Sequence, residues 1–131
     1  PVPDPSTPRA RRGLTVQVTR FEDAKPYEAP GHSGVVALRL QGWDASDCKH
    51  FSVALSHLLP GGGAERAASP LERVYVVVAG EATVITDSDE VTLTVNDSCY
   101  IPGGEARTLV NRSNSVCSIL VVMPYSDGPR P

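Results

Sequence analysis

The chain has 131 residues, and its 12 lysines and arginines against 15 aspartates and glutamates give a formal net charge of -3. This length suits one domain with a real hydrophobic core, and a composition of 40% hydrophobic and 21% charged residues is ordinary for a globular protein. The weakly acidic balance argues against a general nucleic-acid binder, and no apolar run approaches the roughly 18 residues that a transmembrane helix needs.

The two ends of the chain are predicted to be tails. Residues 1–13 carry four prolines and the basic cluster Arg9, Arg11 and Arg12, and such a segment buries too little apolar surface to offset its ordering entropy. Residues 126–131 are again rich in proline and glycine and are predicted to be loose. The sequence therefore predicts one folded domain over residues 14–125.

From Leu14 onward the pattern predicts β-structure. Leu14, Val16 and Val18 alternate with polar residues, which is the period of a half-buried strand, and one helical turn is expected at 21–24. Seven further runs of alternating or β-branched residues follow, at 35–40, 51–59, 73–78, 82–86, 91–95, 106–110 and 116–123. Many short strands separated by turn residues predict an all-β sandwich or barrel of antiparallel strands.

Two blocks of the sequence have a recognisable spacing. Residues 60–80 open with a proline and three glycines and end in Ala79-Gly80, and residues 96–111 contain Pro102-Gly-Gly. Together they resemble the two signature motifs of the cupin superfamily, which these blocks match without a gap at Gly61, Gly80, Pro102, Gly104 and Asn111. The resemblance covers about residues 51–124 and implies a single-domain, cupin-like jelly-roll β-barrel.

The metal-ligand positions of those motifs are all substituted. They are occupied by Ala67, Ser69, Arg73 and Arg107. Alanine has no donor atom, serine is a poor ligand for a divalent transition metal, and arginine is permanently cationic. We therefore expect no metal at these positions and no other cofactor. A non-standard metal site built around His32, His50 or His57 is the alternative that the sequence leaves open.

The two arginines indicate a pocket for a small organic anion. By strand alternation Arg73 shares a face with Tyr75, and Arg107 shares one with Asn111; the cupin arrangement turns both faces into one cavity. Buried cations need counter-charges, and arginine binds a carboxylate or phosphate in a bidentate manner. Ser69 and Asn111 would add hydrogen bonds. Protein carboxylates could also neutralise the arginines, the possible partners being Glu65, Glu90, Asp97 and Glu105. In the opposite alternative one or both arginines extend into solvent.

Several functions are compatible with such a pocket. The first is a metal-independent lyase or isomerase acting on a small anionic carboxylate or phosphate metabolite. In it Arg73 and Arg107 would bind the substrate, and His57 or Tyr75 would carry the proton. The alternatives are a non-catalytic ligand-binding or sensory cupin, a scaffold protein, and a metalloenzyme with a non-standard site.

Compartment and partners follow from simpler features. The three cysteines, Cys48, Cys99 and Cys117, form no CxxC pair, which favours a reduced, cytoplasmic protein over a disulfide scaffold. We expect a small anionic organic ligand and neither a nucleic-acid nor a membrane partner. The cupin resemblance implies a homodimer.

Overall fold

The computed structural model describes residues 15–131, so the tail predicted at 1–13 and Leu14 lie outside the described residues. Apart from one 3₁₀ turn at Phe21–Asp23, the regular elements of this part of the chain are β-strands, which confirms the all-β class. The strands are β1 (Lys25–Tyr27), β2 (His32–Gln41), β3 (Phe51–Ala67), β4 (Arg73–Ala79), β5 (Ala82–Ile85), β6 (Glu90–Leu93), β7 (Ser98–Ile101), β8 (Arg107–Val110) and β9 (Cys117–Pro124).

The strands form one nine-stranded antiparallel sheet that curves into a nearly closed barrel, and the long strand β3 has different neighbours along its two halves. The first half of β3, up to Leu58, pairs with β2 and β9, and β9 continues to β4 and β7. The second half, from Gly63, pairs with β8 and with the start of β2, and β8 continues to β5 and β6. The expected cupin-like jelly roll of antiparallel strands is confirmed.

The glycine run at Gly61–Gly63 joins the two halves of β3. The sequence predicts a strand that ends at residue 59, but β3 continues to Ala67 because long-range pairing holds both of its halves. Gly61 has φ +81°, a left-handed conformation that favours glycine. A Cβ atom on Gly63 would overlap the backbone carbonyl of Leu109. The glycines therefore permit a bend and a close backbone approach within one long strand.

The hydrophobic core lies between the inner faces of the strands. Tyr75, Val77, Leu58 and Ile119 are among its most completely buried side chains. The segment before β1 contributes little, because residues 15–20 form no strand despite their alternation and Val16 is 67% exposed. Alternation alone did not produce a strand there because no described strand pairs with it.

The outer face formed by β2, the first half of β3, β9 and β4 is also apolar. One row of paired residues runs across β2, β3, β9 and β4 as Leu38, Leu55, Leu120 and Val76, all half-buried. This face suits contact with a second copy of the chain, and the expected homodimer stays a prediction. No helix among residues 15–131 has the length and apolar character needed to cross a membrane.

Candidate functional site

A cavity of about 590 Å³ lies inside the barrel. Its volume and mostly apolar wall are typical of sites for small organic molecules. The wall comes from the inner faces of β2, β3, β4, β8 and β9, with Val35, Ala37, Ala54, Leu58, Leu109, Ile119 and Val121 among its apolar residues. Among the described residues its charged lining consists of three arginines, Arg39, Arg73 and Arg107, and one carboxylate, Glu28.

Arg107 is a buried cation whose hydrogen-bond partners among the described residues are both neutral. It begins β8 opposite Ala67 and is 6% exposed. Its Nε donates a hydrogen bond to the Tyr75 hydroxyl at 2.9 Å, and its Nη1 donates to the main-chain oxygen of Glu65 at 3.3 Å. Its Nη2 has no hydrogen-bond partner among the described residues. Since no fully buried polar side-chain atom of residues 15–131 lacks a partner, Nη2 is not fully buried, and Arg107 lines the cavity. Arg107 thus presents free donors to the cavity.

Arg73 and Tyr75 lie on the same face of β4 and both line the cavity. Arg73 is partly exposed and forms no hydrogen bond or ion pair with the described residues. Ser69 also lines the cavity, where its Oγ accepts a hydrogen bond from the amide of Leu71 at 3.1 Å and keeps its own proton to donate. The cavity therefore brings together Arg73, Arg107, Tyr75 and Ser69.

The four carboxylates considered as counter-charges do not pair with these arginines within the described part of the chain. Glu65 contributes its main-chain oxygen and not its side chain. Glu90 forms an exposed ion pair with Arg112 at 3.4 Å. Asp97 accepts hydrogen bonds from the amide and hydroxyl of Thr94, which lower the pKa of its carboxyl group. None of these four carboxylates therefore neutralises Arg73 or Arg107 within the described part of the chain.

His57 lies on the outer face of β3, away from the cavity. Its Nδ1 is 2.8 Å from the Ser118 hydroxyl, and its ring meets Phe21 edge-on at a centroid distance of 6.2 Å. The neighbours of His57 on either side, Ser56 and Leu58, line the cavity instead. A proton carrier at His57 does not fit this placement, and we leave His57 out of the site.

The Asn111 side chain holds a loop in place and does not line the cavity, where it was expected to bind the ligand. It follows the end of β8 and is completely buried. Its Nδ2 donates to the main-chain oxygens of Leu58 at 3.0 Å and Ser115 at 2.7 Å, and its Oδ1 accepts from the amide and hydroxyl of Ser113. These four bonds use the whole side chain to close the loop before β9.

Arg39 is the cavity residue that sequence reasoning missed. Its guanidinium carbon lies 4.6 Å from the ring centroid of Tyr27 and 5.2 Å from that of Trp43, and all three residues line the cavity. Burial raises the pKa of the Tyr27 hydroxyl, and the charge of Arg39 offsets part of that rise. The strand predicted at 35–40 could have indicated this position, because alternation puts Arg39 on the same face as Val35 and Ala37.

His32 and Glu28 also line the cavity, at its β1–β2 side, and were not assigned to it from the sequence. The Nδ1 atom of His32 is 2.9 Å from the main-chain oxygen of Pro30. These two residues are the cavity's histidine and carboxylate within residues 15–131.

Sequence comparison places this barrel in a known family. The profile of the Cupin_2 family, described as the cupin domain, matches residues 54–123, which is more than half of the chain. The chain belongs to the cupin family. Beta-D-galactosidase Rv1717 of Mycobacterium tuberculosis is 39% identical over 110 residues, which make up 84% of this cupin and 95% of that protein.

Solved structures with the same fold are more distant in sequence. The polyketide cyclase RemF of Streptomyces resistomycificus has a TM-score of 0.75 at 18% identity, over 89% of this chain and 83% of that one. A predicted oxalate decarboxylase of Thermotoga maritima has a TM-score of 0.69 at 21% identity, over 82% of this chain and 98% of that one. At these identities the likeness shows the cupin fold.

The residues present do not fit the metal centre that the cupin motifs imply. The four ligand positions, Ala67, Ser69, Arg73 and Arg107, lie at or beside the cavity, and they offer two cations and no imidazole or carboxylate. Within residues 15–131 no group of three histidine, cysteine, aspartate or glutamate side chains stands close enough to hold a metal ion. The guanidinium groups of this cupin instead make the position suitable for an anion.

The cysteines add no reactive nucleophile to the site. Burial raises the pKa of the Cys99 thiol, and burial together with the charge of Glu81 raises the pKa of Cys117 to about 11. Because the thiolate is the nucleophilic form, both shifts disfavour reactivity, and no cysteine of residues 15–131 lines the cavity.

Proposed function

We propose that this cupin binds a small organic anion in its barrel, with Arg107 and Arg73 contacting the acidic group. The observation that carries the proposal is Arg107, which is 6% exposed, has no carboxylate partner among the described residues and turns free donors toward the cavity. A buried cation is costly unless a counter-charge neutralises it. A guest carboxylate or phosphate supplies that charge and matches the planar guanidinium.

Two hydroxyl groups support the same assignment. Tyr75 accepts the Nε–H of Arg107, so its own proton is free to donate to the guest, and Ser69 is in the same position. If the protein is a metal-independent lyase or isomerase, Tyr75 is the residue placed to exchange a proton with the bound acid. That reaction class stays a proposal, and of the two proton carriers considered from the sequence, His57 and Tyr75, it keeps Tyr75.

The proposal is tested by comparing acids with neutral molecules of the same shape. We expect isothermal titration to show that benzoate and 2-naphthoate bind about tenfold tighter or more than benzamide and 2-naphthamide. The reason is that an amide cannot neutralise Arg107, and tenfold in affinity is about 1.4 kcal/mol. Equal affinities within each acid–amide pair would contradict anion recognition.

Hydrolysis of β-galactosides is a second candidate function. The observation that favours it is the 39% identity to a beta-D-galactosidase over 95% of that protein. The geometry gives it less support, because most glycosidases use a pair of carboxyl groups and Glu28 is the one carboxylate among the described lining residues. We therefore rank it below anion binding.

The two functions are separated by an assay with p-nitrophenyl β-D-galactoside. Sustained release of nitrophenolate that is lost in Glu28→Gln and kept in Glu22→Gln, a variant at an exposed position of the 3₁₀ turn, would favour the hydrolase. No release, combined with tight binding of the acids, would favour the anion-binding function.

A further inference from the structure

We infer that the natural ligand is a dianion with an apolar body, and that Arg39 binds its second acidic group. This inference rests on the proposed function and extends it to the class of ligand. It starts from the charge of the cavity wall. The described lining holds three arginines and one carboxylate, Glu28, which leaves two positive charges for the guest to neutralise. A single carboxylate would leave half of that excess in place, and a single phosphate group could contact only one end of the cavity.

The guanidinium of Arg39 is held in place but is not used in an ion pair with the described residues, which suits it to bind a ligand. Its guanidinium carbon lies over the rings of Tyr27 at 4.6 Å and Trp43 at 5.2 Å. Contacts with the ring faces orient the guanidinium plane and leave its N–H groups unused at the edge. No residue among 15–131 accepts a hydrogen bond from Arg39 or forms an ion pair with it. Its donors are therefore oriented and unoccupied beside the cavity.

The two cationic positions are separated along the barrel wall. The pairing register puts Arg39, Ala54, Val121 and Tyr75 in one row across β2, β3, β9 and β4. Neighbouring strands are about 4.8 Å apart, so three steps along this curved row span roughly 14 Å at most. Tyr75 carries the hydrogen bond of Arg107 at its end of the row. A ligand that reaches both ends needs acidic groups on opposite sides of its body.

The wall between the two ends defines that body. The row contains Ala54 and Val121 between its polar ends, and Ala37 and Ile119 line the cavity beside them. A polyhydroxylated body would leave many hydroxyl groups without partners against this wall, which is costly in a buried site. An aromatic ring or a short hydrocarbon fits the wall, and about 590 Å³ leaves room for one or two rings.

The experiment compares diacids with monoacids of the same body. Isothermal titration would use benzoate against terephthalate and 2-naphthoate against naphthalene-2,6-dicarboxylate, so that two spacings are sampled. We expect at least one diacid to bind tenfold tighter or more than its monoacid. In Arg39→Met this advantage should fall to twofold or less, while the affinity for the monoacid stays within threefold of the unmodified protein.

Arg130→Met is the matched control. Arg130 also lies over the Trp43 ring, at 5.7 Å, but it is not part of the cavity lining. The diacid advantage should survive in this variant. If the diacid advantage also survives in Arg39→Met, the second anion position is refuted. It is equally refuted if the monoacids bind tighter than their amides but no diacid binds tighter than its monoacid. In both cases the proposed function stands. If no acid binds tighter than its amide, the second anion position and the proposed function are both refuted.

Discussion

Replacing Arg107 with methionine is expected to weaken the binding of 2-naphthoate about 100-fold, which corresponds to about 2.7 kcal/mol. The guest's carboxylate would lose a buried, hydrogen-bonded cation, and losses of this kind typically lie between about 2 and 5 kcal/mol. Methionine keeps an unbranched apolar stem beside Leu109 and Tyr75, so the cavity keeps its shape. Isothermal titration of the purified variant gives the affinity directly.

The control for this substitution is Arg66→Met. Arg66 is an exposed arginine on β3 whose ion pair with Asp87, at 3.0 Å, lies outside the cavity, and its side chain is 64% exposed. We expect a change in affinity of less than twofold. Urea unfolding of the ligand-free Arg107→Met protein should show little loss of stability, because the substitution removes an unpaired buried charge. Affinity for 2-naphthoate within threefold of the unmodified protein would remove Arg107 from the site.

Replacing Gly63 with alanine is expected to lower the free energy of unfolding by about 3 kcal/mol or more, the upper range for overpacking a well-fitted interior. The added Cβ atom would overlap the carbonyl of Leu109 and lie 3.0 Å from the Cα atom of Val110, and both are backbone atoms of β8. The two strands pair at this point, so β8 must move away from β3. Urea denaturation followed by circular dichroism measures the loss.

Gly61→Ala separates this overlap from the cost of the backbone conformation. A Cβ atom on Gly61 meets no atom within 4 Å, but its φ of +81° is left-handed and costs an L-residue about 1–2 kcal/mol. We expect Gly61→Ala to be the milder variant. A Gly63→Ala protein as stable as Gly61→Ala would mean that β3 and β8 are not so closely packed.

The inward arginines were predictable because two independent signals agree on them. Strand alternation puts Arg73 with Tyr75 on one face, and the motif spacing identifies Arg73 and Arg107 with positions that point into a cupin barrel. The structure places all three at the cavity. Alternation requires only a regular strand, and β4 and β8 are regular at these residues.

His57 could not be placed in the same way, because β3 is apolar on both sides. Leu55 and Leu59 flank His57 on the outer face, while Ala54 and Leu58 line the cavity on the other. Polarity therefore does not say which face of this strand is inside. Alternation could not place Asn111 for a different reason. Asn111 lies beyond the end of β8, where the strand period no longer applies.

The glycine run illustrates a conflict between local and long-range preferences. Three glycines after Pro60 locally favour a turn, and the sequence predicts that the strand ends before them. In the folded protein Gly63 pairs with both Ser33 of β2 and Val110 of β8. These partners lie far away along the sequence, so their contribution was not visible in the local pattern.

Trp43 is the chain's single tryptophan, and it stands at the edge of the cavity between Arg39 and Arg130. A guest that draws the Arg39 guanidinium away from the indole alters the electric field at that ring. We therefore expect the emission of this single indole to change when the Arg39 end is occupied, so that a titration can be followed optically without attaching a dye.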